Sequence, residues 1–223
     1  MTAKVILFDF DGTIADTYQA ITNITNQLSV EFGYKALSED ELSLIKNLSS
    51  REIVKLSEIP VFKLPFLVRR VRSELSKEIA ELEPIAGIKR VLAELKNQGY
   101  VLGIVTSNNK ENVDIFLAKN NLDHLFRYIY SGTAIFGKHR VLNQVIKEHR
   151  LAKADVIYVG DETRDIRSAR KSKIPIAAVS WGFNAAEILA EHQPDYLVDR
   201  PSELPKAIAT WQSCSSSFAV TQV

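Results

Sequence analysis

Cysteine is nearly missing from this 223-residue chain, and the one that occurs, Cys214, lies close to the C-terminus. That excludes an internal disulfide framework and a cysteine metal cluster. An excess of one charge is missing too. The 28 Lys and Arg against 27 Asp and Glu leave a formal net charge of +1, without the basic footprint of a nucleic-acid binder. No apolar run approaches the roughly 18–20 residues that cross a bilayer. The start, Met1-Thr2-Ala3-Lys4, runs directly into a strand-like segment and lacks a signal-peptide profile. His124, His139, His149 and His192 are scattered without metal-ligand spacing, and no internal repeat is visible. A soluble, cytoplasmic protein is expected, with no nucleic-acid and no membrane partner.

What is present is apolar and periodic. Hydrophobic residues make up 46% of the chain, enough for one medium domain, or a core domain carrying a smaller insert. Short β-branched runs fall at Val5–Phe8, Val101–Val105, Tyr128–Tyr130, Val156–Val159 and Ile176–Val179, with a weaker one at Tyr196–Val198. They are continuous rather than alternating, as in parallel strands buried on both faces. Helical stripes lie between them: Ile88, Val91, Leu92 and Leu95, ended by Gly99; Val113, Phe116 and Leu117; Val141, Leu142, Val145 and Ile146. This alternation predicts a doubly wound α/β fold with a mainly parallel sheet.

From about Asp16 to Leu82 the alternation stops and the pattern is helical throughout. Ile21, Ile24, Leu28 and Phe32 share one face before Gly33. Ser38-x-x-Glu41 and Ser49-x-x-Glu52 are capping boxes. Pro65 suits the first turn of a helix carrying Val71, Leu75, Ile79 and Leu82. Residues 16–83 are therefore expected to form a small all-helical domain or lid, inserted into a core made of 1–15 and 84–212. Pro84 and Gly87 mark the return, and the serine-rich 213–223 is expected to be a flexible tail. The basic run Lys63, Arg69, Arg70 and Arg72 reads as a solvated helix face. Trp181 and Trp211 read as packing.

Chemistry concentrates at strand ends, where open α/β sheets build their sites. After the first strand comes Phe8-Asp9-Phe10-Asp11-Gly12-Thr13, two carboxylates that converge if the chain coils, inviting a cation or a shared proton. The second strand ends in Thr106-Ser107-Asn108-Asn109, with a hydroxyl and backbone amides suited to an oxyanion. Gly137-Lys138-His139-Arg140 puts a cation at a helix start. Gly160-Asp161-Glu162-Thr163-Arg164-Asp165 is a second acidic cluster. Each has an ordinary reading as an N-cap, a solvated charge or a helix start. Strand-end placement brings all four to one rim.

In this order the four segments resemble the motifs of the haloacid dehalogenase superfamily, in its phosphoglycolate phosphatase-like branch. The similarity covers about Lys4–Phe183 and includes Ile174-Pro175-Ile176 and Ser180-Trp181-Gly182-Phe183. It implies a Rossmann-like core, with the helical insert as a cap. It further implies Asp9 as nucleophile forming an aspartyl-phosphate, and Asp11 as general acid and then base. Mg²⁺ would be held by Asp9, the Asp11 carbonyl and Asp161. Thr106, Ser107, Asn108 and Gly12 would cradle the phosphoryl group, and Lys138 would offset its charge. Asp165 would support Lys138 or a metal-bound water. Glu162 would be a solvated helix start.

The segment Asn47-Leu48-Ser49-Ser50-Arg51-Glu52 is similar to a cap segment that places an Arg on the distal end of the substrate, here Arg51. The activity implied is Mg²⁺-dependent hydrolysis of a small phosphorylated metabolite such as phosphoglycolate. A β-phosphoglucomutase-like phosphomutase uses the same acid pair and stays open. A dehalogenase would not need Asp11, and no cap lysine stands out for a phosphonatase. A phospho-acceptor domain would carry its Asp at the third strand end, where Tyr130-Ser131-Gly132 stands. A non-catalytic binding protein on this fold would usually have lost the nucleophile or the acid. Monomer and homodimer are both open.

Overall fold

In the computed structural model, which describes residues 4–131 and 137–219, one parallel sheet carries the molecule. Its strands are β1 (Val5–Phe8), β2 (Val101–Val105), β3 (Phe126–Tyr130), β4 (Val156–Gly160), β5 (Ile176–Val179) and β6 (Tyr196–Val198). Their spatial order is β3-β2-β1-β4-β5-β6. β1 is central, pairing Val5 with both Val101 and Val156. Every residue of β1 is buried, which is why its sequence is continuously apolar. Ile6 and Phe8 enter one core with Ile104, Val159 and Phe116, while Val5 and Leu7 enter the other with Val105, Leu142 and Ile166. Fully burying one such side chain contributes about 1.5–3 kcal/mol. The expected doubly wound architecture is the one observed.

Five helices separate β1 from the rest of the sheet: α1 (Tyr18–Gln27), α2 (Ser29–Phe32), α3 (Glu39–Ile45), α4 (Ser50–Leu56) and α5 (Leu64–Leu75). Both capping boxes form, at Ser38 with Glu41 and at Ser49 with Glu52. The sheet is then flanked by α6 (Ile88–Asn97), α7 (Lys110–Lys119), α8 (Lys138–Glu148), α9 (Thr163–Ser172), α10 (Ala186–Glu191) and α11 (Leu204–Ala219). Ile24, Leu28, Phe32, Leu67 and Leu75 of the insert join the apolar cluster that includes Ile6 and Phe8. Among the described residues no helix is long and apolar enough to cross a membrane.

Several boundaries differ from expectation. The first helical stripe is two helices, broken where the Leu28 amide divides its bond between Ile24 and Thr25. The helix opened by Pro65 ends at Leu75, before the expected Ile79 and Leu82. Ile79 stays buried on a separate 3₁₀ turn. β3 begins at Phe126, two residues early, since only the exposed Arg127 interrupts the run. The segment expected to be a flexible tail from Ser213 continues as helix to Ala219. Ser213–Ala219 contains neither Gly nor Pro to stop it. Met1–Ala3, Gly132 and 220–223 lie outside the described residues.

Candidate active site

The carboxyl ends of β1, β2 and β4 lie side by side where chain order reverses across the sheet, the crevice in which such folds bind ligands. There Asp9, Asp11, Thr106, Lys138, Asp161 and Asp165 are all buried. Lys138, at the start of α8, donates to Asp9 Oδ2 at 2.6 Å and to Asp165 Oδ1 at 2.6 Å. Burial alone would lower the pKa of this ammonium, but the charges of Asp165 and Asp9 outweigh it and raise the pKa. The Tyr158 ring flanks the ammonium, with Nζ 5.5 Å from its centroid. Asp9 Oδ1 accepts the Phe10 amide at 2.8 Å, so both its oxygens are fixed.

Asp11 has a different environment. Its Oδ1 accepts Asn108 Nδ2 at 3.0 Å, a neutral donor. Burial, followed by the charge of Asp9, pushes its pKa to about 7. Asp161 accepts Thr13 Oγ1 at 2.8 Å and the Phe183 amide at 2.7 Å. Burial and then the charges of Glu162, Asp9 and Asp165 push its pKa well up. Asp165 is raised to about 6, by burial against the opposing pull of Lys138.

Carboxylate oxygens of Asp9, Asp161 and Asp165 lie within 4.8 Å of one another. Lys138 bonds two of these three buried carboxylates, and such a cluster of hard oxygen donors fits a divalent cation. Asp165 commits one oxygen to Lys138 and the other to the Glu162 amide. Asp9 is committed in the same way, to Lys138 and the Phe10 amide, while Asp161 bonds only neutral donors, Thr13 Oγ1 and the Phe183 amide. The backbone keeps room around Asp161. Gly12 has φ +72°, and a Cβ there would lie 2.3 Å from Asp161 Oδ2; one on Gly182 would lie 2.1 Å from the same oxygen.

The raised pKa values carry a sign for stability. The native protein keeps protons on Asp11, Asp161 and Asp165 that the unfolded chain gives up above the ordinary value of 3.8. Stability therefore falls as pH rises from that value towards about 7. Chelator-treated protein is expected to melt at a lower temperature near pH ~7.5 than near pH ~5.5, and a divalent cation to restore more at the higher pH. Calorimetry at the two pH values checks this, and a melting point that rises with pH under chelator contradicts it.

Other expected residues are placed as follows. Thr106 Oγ1 accepts the Asn108 amide at 3.0 Å, and Ser107 is half-buried beside it. Arg51 is exposed near the start of α4, where its charge acts on Arg167. Two guanidinium groups that the sequence did not single out are closer to the acids. Arg72, read as part of a solvated face, is half-buried on α5 and feels the charge of Asp11. Arg164 is held by Glu162 through Nε at 2.7 Å. Glu162 is not a solvated helix start: it also accepts Ser50 Oγ from α4 at 2.9 Å. Asn184 donates to the Lys46 and Leu48 carbonyls at 3.1 and 3.0 Å, and Trp181 Nε1 donates to the Thr13 carbonyl at 3.2 Å. Glu162 and Asn184 thus tie the insert to the loops that follow β4 and β5, through side chains that carry no recognisable motif.

The family model for haloacid dehalogenase-like hydrolases matches residues 6–179. The chain belongs to this family. A phosphoglycolate phosphatase from Synechococcus elongatus is 35% identical over 205 residues, covering 92% of this chain and 97% of that protein. The pyrophosphatase PpaX of Bacillus cereus is 26% identical, covering 92% and 95%. Among solved structures, a haloacid dehalogenase-like hydrolase from Streptococcus pneumoniae superposes with a TM-score of 0.74 at 25% identity, covering 92% and 98% of the two chains. A predicted phosphatase from Clostridium acetobutylicum, at 24% identity, gives 0.80 over 94% and 100%, a likeness of fold. The protein is an enzyme of the haloacid dehalogenase-like family, of the phosphatase kind.

Proposed function

We propose that the protein is a Mg²⁺-dependent phosphatase that hydrolyses a small phosphomonoester, phosphoglycolate or a close analogue, through an aspartyl-phosphate on Asp9. One observation carries this reading. Two carboxylates two residues apart have opposite environments: Asp9 is bonded to the Lys138 ammonium, while Asp11 is bonded to a neutral amide and raised to about 7. Such a pair divides into nucleophile and proton donor. The Asp9 carboxylate attacks phosphorus as the ester P–O bond breaks, and Asp11 gives its proton to the leaving oxygen. Asp11 then takes a proton from water, which attacks phosphorus, breaks the bond to Asp9 and frees phosphate. Lys138 offsets the charge on Asp9 and the phosphoryl oxygens, and Thr106, Ser107, Asn108 and Gly12 line the phosphoryl site. A bound Mg²⁺, held by Asp9, Asp161 and the Asp11 carbonyl, would neutralise phosphate charge.

In this reading residues 16–83 are a cap over a core of 1–15 and 84–212, and the cap excludes water once substrate is seated. Arg51, on the cap, reads the far end of the substrate. Arg72 is a second cap guanidinium suited to a carboxylate there. The name of the Synechococcus relative supports phosphoglycolate as the ester.

The test is phosphate release from phosphoglycolate, sugar phosphates, nucleotides, inorganic pyrophosphate and p-nitrophenyl phosphate, with Mg²⁺ or with chelator. Release that requires Mg²⁺ and is fastest on phosphoglycolate is expected. Release from no ester by folded, Mg²⁺-supplied protein overturns the reading. Preference for pyrophosphate keeps the chemistry and replaces the substrate.

A further inference from the structure

A chain of hydrogen bonds runs from the insert to Asp11 through two asparagines. Asn112, on α7, is fully buried, and its Oδ1 accepts Ser76 Oγ from the end of α5 at 2.6 Å. Its Nδ2 donates to the Arg72 carbonyl at 3.2 Å and to Asn108 Oδ1 at 2.9 Å. Asn108 Oδ1 also accepts the Asn109 amide at 2.8 Å. With two donors facing its oxygen, the Asn108 amide has one orientation, and that orientation aims Nδ2 at Asp11 Oδ1, 3.0 Å away. A flipped Asn108 would set its NH₂ against two donors and its oxygen against a carboxyl oxygen. The same logic fixes Asn112, whose NH₂ faces two acceptors.

We propose that Asn112 is a positioning residue for the phosphatase reaction: through Asn108 it holds the Asp11 carboxyl in its working orientation, and it does so with α5 of the insert docked. The proposal rests on the phosphatase reading above. Asn112 bonds Asn108 and not Asp11, so its effect on the acid must pass through Asn108. The position of the acid is thereby tied to the insert, so that proton donation is ready when the lid is in place.

Leaving-group chemistry separates this role from general support of the fold. An alkyl ester such as phosphoglycolate leaves as an alkoxide that must be protonated, whereas p-nitrophenolate leaves without a proton. kcat/KM reports the transfer to Asp9 alone, which is the step in which Asp11 donates. For Asn112→Ala, kcat/KM on phosphoglycolate is expected to fall at least about tenfold. On p-nitrophenyl phosphate it falls less than about threefold, while kcat drops on both because Asp11 also activates water. Ser76→Ala, at an exposed position, gives the same pattern at smaller size and carries the test if Asn112→Ala does not fold. Equal losses in kcat/KM on the two esters, or no loss on either, overturn the proposal. Wild type that cleaves neither ester refutes the phosphatase reading instead.

Discussion

Asp9→Asn is expected to give a folded protein that releases no phosphate. The substitution keeps the size of the side chain and an oxygen able to accept the Phe10 amide, which now bonds Oδ1 at 2.8 Å. Lys138 keeps Asp165 as a charged partner at 2.6 Å, so its ammonium is not stranded. What is lost is the nucleophile, since a carboxamide does not attack a phosphoryl group. A loss of about 10⁴-fold or more in kcat follows, the scale seen when a nucleophile is removed and binding is left intact. Steady-state assay on phosphoglycolate, with circular dichroism to confirm the fold, is the check. A variant that keeps more than about 1% of wild-type turnover would mean that the phosphoryl group does not pass through Asp9.

Lys138→Met is expected to damage both stability and activity. The ammonium is 1% exposed and bonds two carboxylates that are themselves almost fully buried. Methionine fills a similar volume and leaves Asp9 and Asp165 without the ammonium they both bond, with the Arg164 guanidinium as the remaining nearby charge. Removing one partner of a buried ion pair typically costs about 3–5 kcal/mol. Here proton uptake by the Asp165 carboxyl, already raised to about 6, absorbs part of that, and about 3 kcal/mol is expected from urea unfolding. The loss in kcat is about 10³-fold, because the charge that offsets phosphate and nucleophile is gone. Unfolding and turnover measured on the same preparation separate the two effects. Wild-type stability would contradict the buried ion-pair geometry, and near wild-type turnover would contradict the charge-offset role.

The sheet was readable because all-parallel strands are buried on both faces. Val5–Phe8 and Val156–Val159 therefore appear as unbroken apolar runs, each followed by the acids that the strand end presents. β3 was read short because the exposed Arg127 hides the start of its run. The elements of the insert were legible and their ends were not. The chain leaves its helices at Leu28 and after Leu75, and neither Leu28 nor Ser76 is a breaker by type.

The acids and Lys138 of the site were legible as strand-end motifs, but their supports were not. Glu162 with Ser50, Asn108 with Asp11, and Asn184 with the loop around Leu48 are pairs formed by residues about a hundred positions apart or more. Amides and hydroxyls of this kind are common in any sequence, so only the fold selects the few that meet. Arg72 was misread for a related reason. A cation on an amphipathic helix is normally solvated, whereas the fold leaves Arg72 half-buried and within reach of the Asp11 charge.

The space around Asp161 Oδ2 is made by two missing side chains, at Gly12 and Gly182, whose added Cβ atoms would lie 2.3 and 2.1 Å from it. Drift in the sequence is thus tightly confined at two residues that bring no side chain to the site. Acids on the rim can in principle be exchanged for other oxygen donors, whereas no larger residue reproduces an absence. For a descendant of this chain the vacant places are as much a part of the inheritance as the occupied ones.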